Sequence, residues 1–103
     1  MNHSVDFRVE IWNGKETWEG WFPYLMPVPP NVGLYFGDSN LLKISQVRWL
    51  GEWKSSKFFE DVWSGFHYKA YFHSINMPFE EVKEELEEIA SSLGFEWDFK
   101  KLN

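Results

Sequence analysis

The sequence predicts an α+β domain: a curved antiparallel sheet or small barrel packed by one C-terminal amphipathic helix, with a short final strand. Three observations predict it. Apolar residues alternate with polar ones from Val5 onward, the apolar period lengthens to 3.6 after Pro78, and strands do not alternate with helices as a wound parallel sheet requires. At 103 residues the chain has material for one core. Two cores would each be too small to stand without disulfides or metal. A single domain over residues 1–103 is therefore expected, with a β-rich body at 5–75, an acidic helix at 78–93 and a terminal strand at 95–99.

Val5, Phe7, Val9 and Ile11 alternate with Asp6, Arg8, Glu10 and Trp12. Beyond Asn13-Gly14, Glu16, Trp18, Gly20 and Phe22 alternate with Lys15, Thr17, Glu19 and Trp21. Two such runs about Asn-Gly predict a hairpin with a two-residue turn. Its register pairs Trp12 with Lys15, Val9 with Trp18, Arg8 with Glu19 and Val5 with Phe22, so apolar side chains meet and Arg8 faces an acid. Next comes Pro23-Tyr24-Leu25-Met26-Pro27-Val28-Pro29-Pro30. Prolines remove backbone donors and fix φ, so this segment reads as an extended crossover packed on the domain, not as a ladder strand.

Residues 32–36 and 41–49 read as strands about a Gly37-Asp38-Ser39-Asn40 turn. Leu42 and Ile44 fall on one parity and Val47 and Trp49 on the other, which predicts a bulge near Ser45-Gln46. Residues 50–56 read as a loop, and 57–63 follow no single period. Residues 66–75 form a strand with Phe66, Tyr68, Ala70 and Phe72 on its core face. Phe79, Val82, Leu86, Ile89 and Leu93 then recur at 3-4-3-4 spacing, a helix of about four turns. Asn76 is its expected cap, Pro78 stands in its first turn and Gly94 stops it. Phe95, Trp97 and Phe99 alternate with Glu96, Asp98 and Lys100, the pattern of a last short strand.

Aromatics make up 20% of the residues and include seven tryptophans, more than one small core encloses. Some should line a groove or contact surface. The absence of cysteine excludes a disulfide framework, a thiolate metal site and a cysteine nucleophile. Met1-Asn2-His3-Ser4-Val5-Asp6 has no leader character, and no later stretch approaches the roughly 18 apolar residues of a membrane span. A soluble, cytoplasmic protein is expected. No GxSxG, Walker-type loop, HExxH or paired-glycine dinucleotide turn occurs, so no catalytic residue, cofactor or metal is assigned.

The stretch Pro27-Val28-Pro29-Pro30-Asn31-Val32-Gly33, with Leu34-Tyr35-Phe36-Gly37-Asp38 and then Leu42-Lys43-Ile44-Ser45-Gln46-Val47-Arg48-Trp49, resembles uncharacterised small proteins of phages and mobile elements. In these a proline-rich entry leads into a hairpin of an SH3-like barrel. The resemblance covers residues 23–49 and implies such a barrel here. It departs from the pattern at Leu34, where an acidic residue is usual, and in adding the acidic helix. It carries over no catalytic residue.

Charge is the sharpest functional signal. Glu80, Glu81, Glu84, Glu85, Glu87 and Glu88 are opposed within the helix only by Lys83, six acids against one base or −5, out of a chain total of −6. Such a face gives solubility, or it docks a basic protein whose association concentrated charge would steer. Glu81, Glu84, Glu85 and Glu88, with Trp12, Trp21 and Trp53, are the candidate partner-binding residues. A second candidate is the stripe His67, Lys69, Tyr71 and His73, opposite the core face of its strand. It carries groups that bind phosphate or exchange protons. Six residues at about 3.3 Å each put the two histidines roughly 20 Å apart, too far to act on one bond or share a metal. Nucleic acid is disfavoured as a direct ligand because the phosphate term would be repulsive.

The expectation is a non-enzymatic protein-binding inhibitor or regulator, of the immunity or anti-defence type, acting on a basic partner through the acidic helix and exposed Trp. The alternative is a nucleotide- or sugar-binding protein, or a phosphoester enzyme, using an aromatic groove with His67, Lys69 and His73. No membrane partner is expected. Oligomeric state is open, with a homodimer or a subunit of a larger assembly both allowed.

Overall fold

The two alternating N-terminal runs form β1 (His3–Trp12) and β2 (Thr17–Met26), paired antiparallel. The computed structural model describes residues 3–37, 40–53 and 65–102. Within them β3 (Ile44–Trp53), β4 (Gly65–Phe72), β5 (Ile75–Asn76), α1 (Phe79–Leu93) and β6 (Asp98–Lys101) complete an α+β fold. Strand order is β3-β4-β1-β2-β6, with β5 also beside β1. β1 is antiparallel to β2 but parallel to β4 and β5, so the sheet is mixed and not antiparallel throughout. Among the described residues β3 and β6 do not pair, so the sheet is open, as in the curved-sheet alternative and not the barrel.

The hairpin differs from its expected register for a local reason. Asn13 Oδ1 accepts from the amides of Lys15 and Glu16 at 3.0 and 2.8 Å, and the Asn13 N–H donates to the Glu16 carbonyl at 3.2 Å. The side chain thereby builds a loop from residues 13–16 instead of a two-residue turn. Register slips by two: Phe7 opposes Phe22, Arg8 opposes Trp21 and Val9 opposes Gly20. A two-residue slip leaves every side chain on its expected face. Pro23 proves to lie inside β2, opposite Asp6. It stands past the end of β6, which pairs from Trp18 to Trp21, so β2 is an edge there among the described residues and tolerates a missing donor.

Of the expected strand at 32–36, only a Tyr35 bridge to Lys43 is regular. Gly33 and Phe36 donate to Ile44 and Leu42 at 2.8 Å each, and Ile44 donates back to Leu34 at 2.9 Å. The bulge at Ser45 is present, and a second register shift falls at Leu50, so β3 continues through part of the expected loop. Residues 54–56 of that loop and the segment 57–63 lie outside the described residues. The expected strand at 66–75 divides into β4 and β5. One extra residue between the Arg8–Tyr71 and Ile11–Ile75 pairs lets both Phe72 and Ile75 face the core.

The core lies between one face of this sheet and α1. Val5, Phe7, Val9 and Ile11 are fully or almost fully buried, and α1 lays Phe79, Val82, Leu86, Ile89 and Ala90 on the same cluster. Each such large side chain stabilises by about 1.5–3 kcal/mol. Leu93, last of the expected stripe, is exposed. Gly20 is where β2 needs glycine, since a Cβ there would meet Phe99 at 3.0 Å and Val9 at 3.1 Å. Its absence lets Phe99 lie across the strand.

Pro78, and not Asn76, is the N-cap of α1, and no side chain caps it. Asn76 is held in β5, and the Pro78 carbonyl accepts from Glu81 and Val82 at 3.2 and 3.3 Å. Gly94 ends the helix at φ 79°, the left-handed conformation that suits glycine. No helix among the described residues is long and apolar enough to cross a membrane.

Candidate functional site

Because α1 is pinned by its apolar stripe, its glutamates point outward. Glu80, Glu81, Glu84, Glu87 and Glu88 are exposed and Glu85 is half-buried. Lys83 approaches Glu87 at 3.9 Å, a weak i,i+4 pair. Glu80, Glu81, Glu84 and Glu88 make no ion pair with a described residue. The helix surface therefore carries uncompensated negative charge.

The opposite face of the sheet is uncovered by α1 and differs in kind. Trp12 and Trp21 alternate with the buried residues of β1 and β2 and so stand on this face, half-buried. They do not share a surface with the helix glutamates, and the expected joint docking site is split between opposite sides of the molecule. Between them lies a charge cluster. Arg8 donates to Asp6 at 3.1 and 3.2 Å and through Nη1 to Glu19, and its guanidinium stands 5.7 Å from the Trp21 ring centroid. Glu19 lies diagonally from Arg8, not directly opposite as expected, yet within its reach. Burial works against the Arg8 charge, but hydrogen bonding and attraction from Asp6, then Glu19, outweigh it and hold the guanidinium pKa above its ordinary value.

The polar stripe on β4 joins this face. Ser4 pairs with His67, Asp6 with Lys69 and Arg8 with Tyr71, so the neighbouring strand supplies the acid that the stripe itself lacks. Lys69 Nζ sits 5.6 Å from the Tyr71 ring centroid. Burial lowers the His67 pKa below the ordinary imidazole value. His73 is not part of this row. It lies past the end of β4, exposed, with its N–H donating to the Lys43 carbonyl at 3.1 Å. Where the Ser45 bulge meets the β4–β5 break, a hollow of about 270 Å³ opens, lined by Arg8, Glu10, Glu19, Gln46, Tyr71 and Ser74 among others. Among the described residues no three His, Asp or Glu side chains are grouped to hold a metal.

The remaining tryptophans divide between core and edge. Trp97 is buried edge-on to Phe22 at 4.5 Å and is core, and the half-buried Trp18 packs against that core, stacked on Phe79 at 4.0 Å. Trp49 is 61% exposed on the edge strand β3. Trp53 ends β3 by its backbone, while its side chain and all of Trp63 lie outside the described residues. A cavity that sequence reasoning missed, about 390 Å³, runs along the C-terminal half of α1 and is lined by Glu87, Ala90, Ser91, Phe95, Glu96 and Trp97. Its only signal in the sequence is the acidic-aromatic run Phe95-Glu96-Trp97 directly after the Gly94 stop. Compared with protein-family models, curated proteins and solved structures, the chain matches none.

Proposed function

We propose that this chain is a non-enzymatic protein-binding inhibitor or regulator, of the immunity or anti-defence kind, which occupies a basic protein partner with the outer face of α1. One observation supports it above the others: Glu80, Glu81, Glu84 and Glu88 are exposed without a cation among the described residues, on a helix whose other face is anchored in the core. Unneutralised charge on a fixed mount steers a complementary surface and loses little entropy on docking. Glu81, Glu84, Glu85 and Glu88 carry this contact. Trp12 and Trp21, on the far side, serve a second contact, because one flat partner does not reach both. In the same proposal, the likeness of residues 23–49 to small phage and mobile-element proteins makes the twice-bulged β3 part of an opened SH3-like arrangement. A cytoplasmic location belongs to this proposal too.

The test is quantitative. A partner captured from the native host, identified and purified, is titrated against the chain and against its E81Q/E84Q/E85Q/E88Q variant at two salt concentrations. The variant should bind about tenfold more weakly, with a flatter salt dependence. Equal affinity removes the helix as the docking face.

A second reading rests on the 270 Å³ hollow, whose Arg8, Tyr71 and Ser74 would suit a nucleotide or sugar, with Lys69 beside Tyr71 and His67 further along the same strand face. Against it, Arg8 is already committed to Asp6 and Glu19. A rise in melting temperature with one nucleotide or sugar, abolished by Tyr71→Ala, would favour it.

A further inference from the structure

We infer that the cavity beside the C-terminal half of α1 is a receptor for an arginine side chain of the protein partner. This rests on the docking reading above and names the group that the partner inserts. The cavity combines two features that one guanidinium satisfies together, and a third that the backbone next to it would satisfy. Its floor is aromatic: Phe95 and Trp97 line it, and Trp97 is held at 5.9 Å from Phe95 and 6.0 Å from Phe99. Planar, weakly hydrated guanidinium stacks on such a floor, whereas the compact ammonium of lysine keeps its water.

Its rim is acidic. Glu87 and Glu96 stand at the cavity, and Glu87 meets Lys83 only at 3.9 Å. The negative end of the helix points the same way, and the last turn of α1 holds no basic residue. A cation placed here therefore meets two carboxylates and a helix C-terminus at once. The third feature is independent of charge. Trp97 is 8% exposed, yet its indole N–H has no acceptor among the described residues. A buried donor left unpaired costs free energy, and because this nitrogen is itself enclosed, a small turn of the Trp97 ring would bring it to the backbone carbonyl of an inserted segment. About 390 Å³ accommodates a side chain with part of its backbone. The open sheet face offers no comparable place, since Arg8 already stands between its two carboxylates.

The probe is N-acetyl-arginine amide, titrated into the ¹⁵N-labelled chain while indole and backbone amide resonances are followed. The uncharged isostere N-acetyl-citrulline amide is the control. Expected is a saturable shift of the Trp97 indole and of the Ser91, Phe95 and Glu96 amides with arginine and not with citrulline. E87Q/E96Q should weaken it about tenfold, in line with the loss of two charge-assisted contacts. Both substitutions are at the surface, and W97F assigns the indole resonance. The inference is overturned by no saturable shift, by equal binding of citrulline, or by shifts confined to Glu80, Glu81, Glu84 and Glu88. The purified partner separates this claim from the one it rests on. If E81Q/E84Q/E85Q/E88Q weakens the partner and E87Q/E96Q does not, the receptor falls and helix docking stands. If neither variant weakens it, both fall.

Discussion

On the open side of the sheet, Arg8 is shared between Asp6 and Glu19 and stands over Trp21, whereas on α1 four exposed glutamates have no cation among the described residues. The two surfaces lie on opposite sides of one core and handle charge in opposite ways. One arginine shared by two carboxylates at 29–33% exposure leaves the group at −1, and it attracts little at a distance. Unpaired ones on a helix cost some stability and attract strongly. A surface that destabilises its own helix is the better candidate for a purpose outside the fold.

The comparison holds only while the core keeps α1 on the sheet, and the largest predicted effect breaks that joint. Leu86 is fully buried between them. Leu86→Ala should cost about 2–5 kcal/mol, with Phe22→Ala at about 3–5 kcal/mol because Phe22 stacks on Phe95 at 3.8 Å and on Phe7 at 5.0 Å. Urea titration reads both. A loss under about 1 kcal/mol for Leu86→Ala would mean that the helix is not cemented to the sheet as described.

Next in size is the arginine of the open face. Arg8→Met strands Asp6 and Glu19 beside each other and should cost about 1–3 kcal/mol, nearer the lower figure because the pair is partly solvated. Adding Glu19→Gln and Asp6→Asn should restore most of the loss. If the triple variant is no better than Arg8→Met alone, the arginine acts by packing on Trp21 and the charge comparison fails on this side.

On the helix the sign should reverse. E81Q/E84Q/E85Q/E88Q removes the like-charge pairs Glu80/Glu84, Glu81/Glu85 and Glu84/Glu88, each worth a few tenths of a kcal/mol, and gives back part of that through Glu81 in the first turn. A rise in Tm at low salt that shrinks as salt is added is expected. A fall in Tm would show that these glutamates stabilise the chain and that solubility or folding explains them.

How much of this was legible depended on whether a feature is local. Alternation put Val5, Phe7, Val9 and Ile11 inside and Trp12 and Trp21 outside, and 3-4 spacing found the buried stripe of α1. The Ser45 bulge followed from a parity change, and Gly94 from its place after the last periodic residue. The four-residue hairpin loop was hidden because Asn13 closes it with its side chain, a choice that Asn-Gly does not announce. The parallel β1–β4 pair was hidden for a different reason: alternation records a strand's faces but neither its neighbour nor its direction. The same gap separated the candidate site residues, since parity on β1 and periodicity on α1 do not say that the helix covers the other side. Trp18 and Trp97 followed the apolar parity of their runs, but only the packing of β6 and the helix N-terminus over β2 shows what covers them.

The smallest effect sharpens the comparison through two histidines on opposite faces. His3 is 8% exposed on the core side, near Phe66 at 5.7 Å and Tyr68 at 5.6 Å, and its Nδ1 has no partner among the described residues. Burial, and secondarily the positive N-terminus, lowers its pKa. His67 on the open side is lowered by burial alone. A base with a depressed folded pKa binds its proton more readily in the unfolded chain. Stability should therefore be complete above about pH 6.5, the unfolded value, and fall as pH drops below it, before the carboxylates titrate. His3→Phe keeps the ring packing and should remove most of the slope between about pH 5 and 7, while His67→Gln removes less, because the core side solvates a charge worse than the half-open face does. Unfolding curves at several pH values decide it. An unchanged slope in His3→Phe would mean that the buried imidazole is solvated in the fold, and that the core side is less dry at its His3 end than at Leu86.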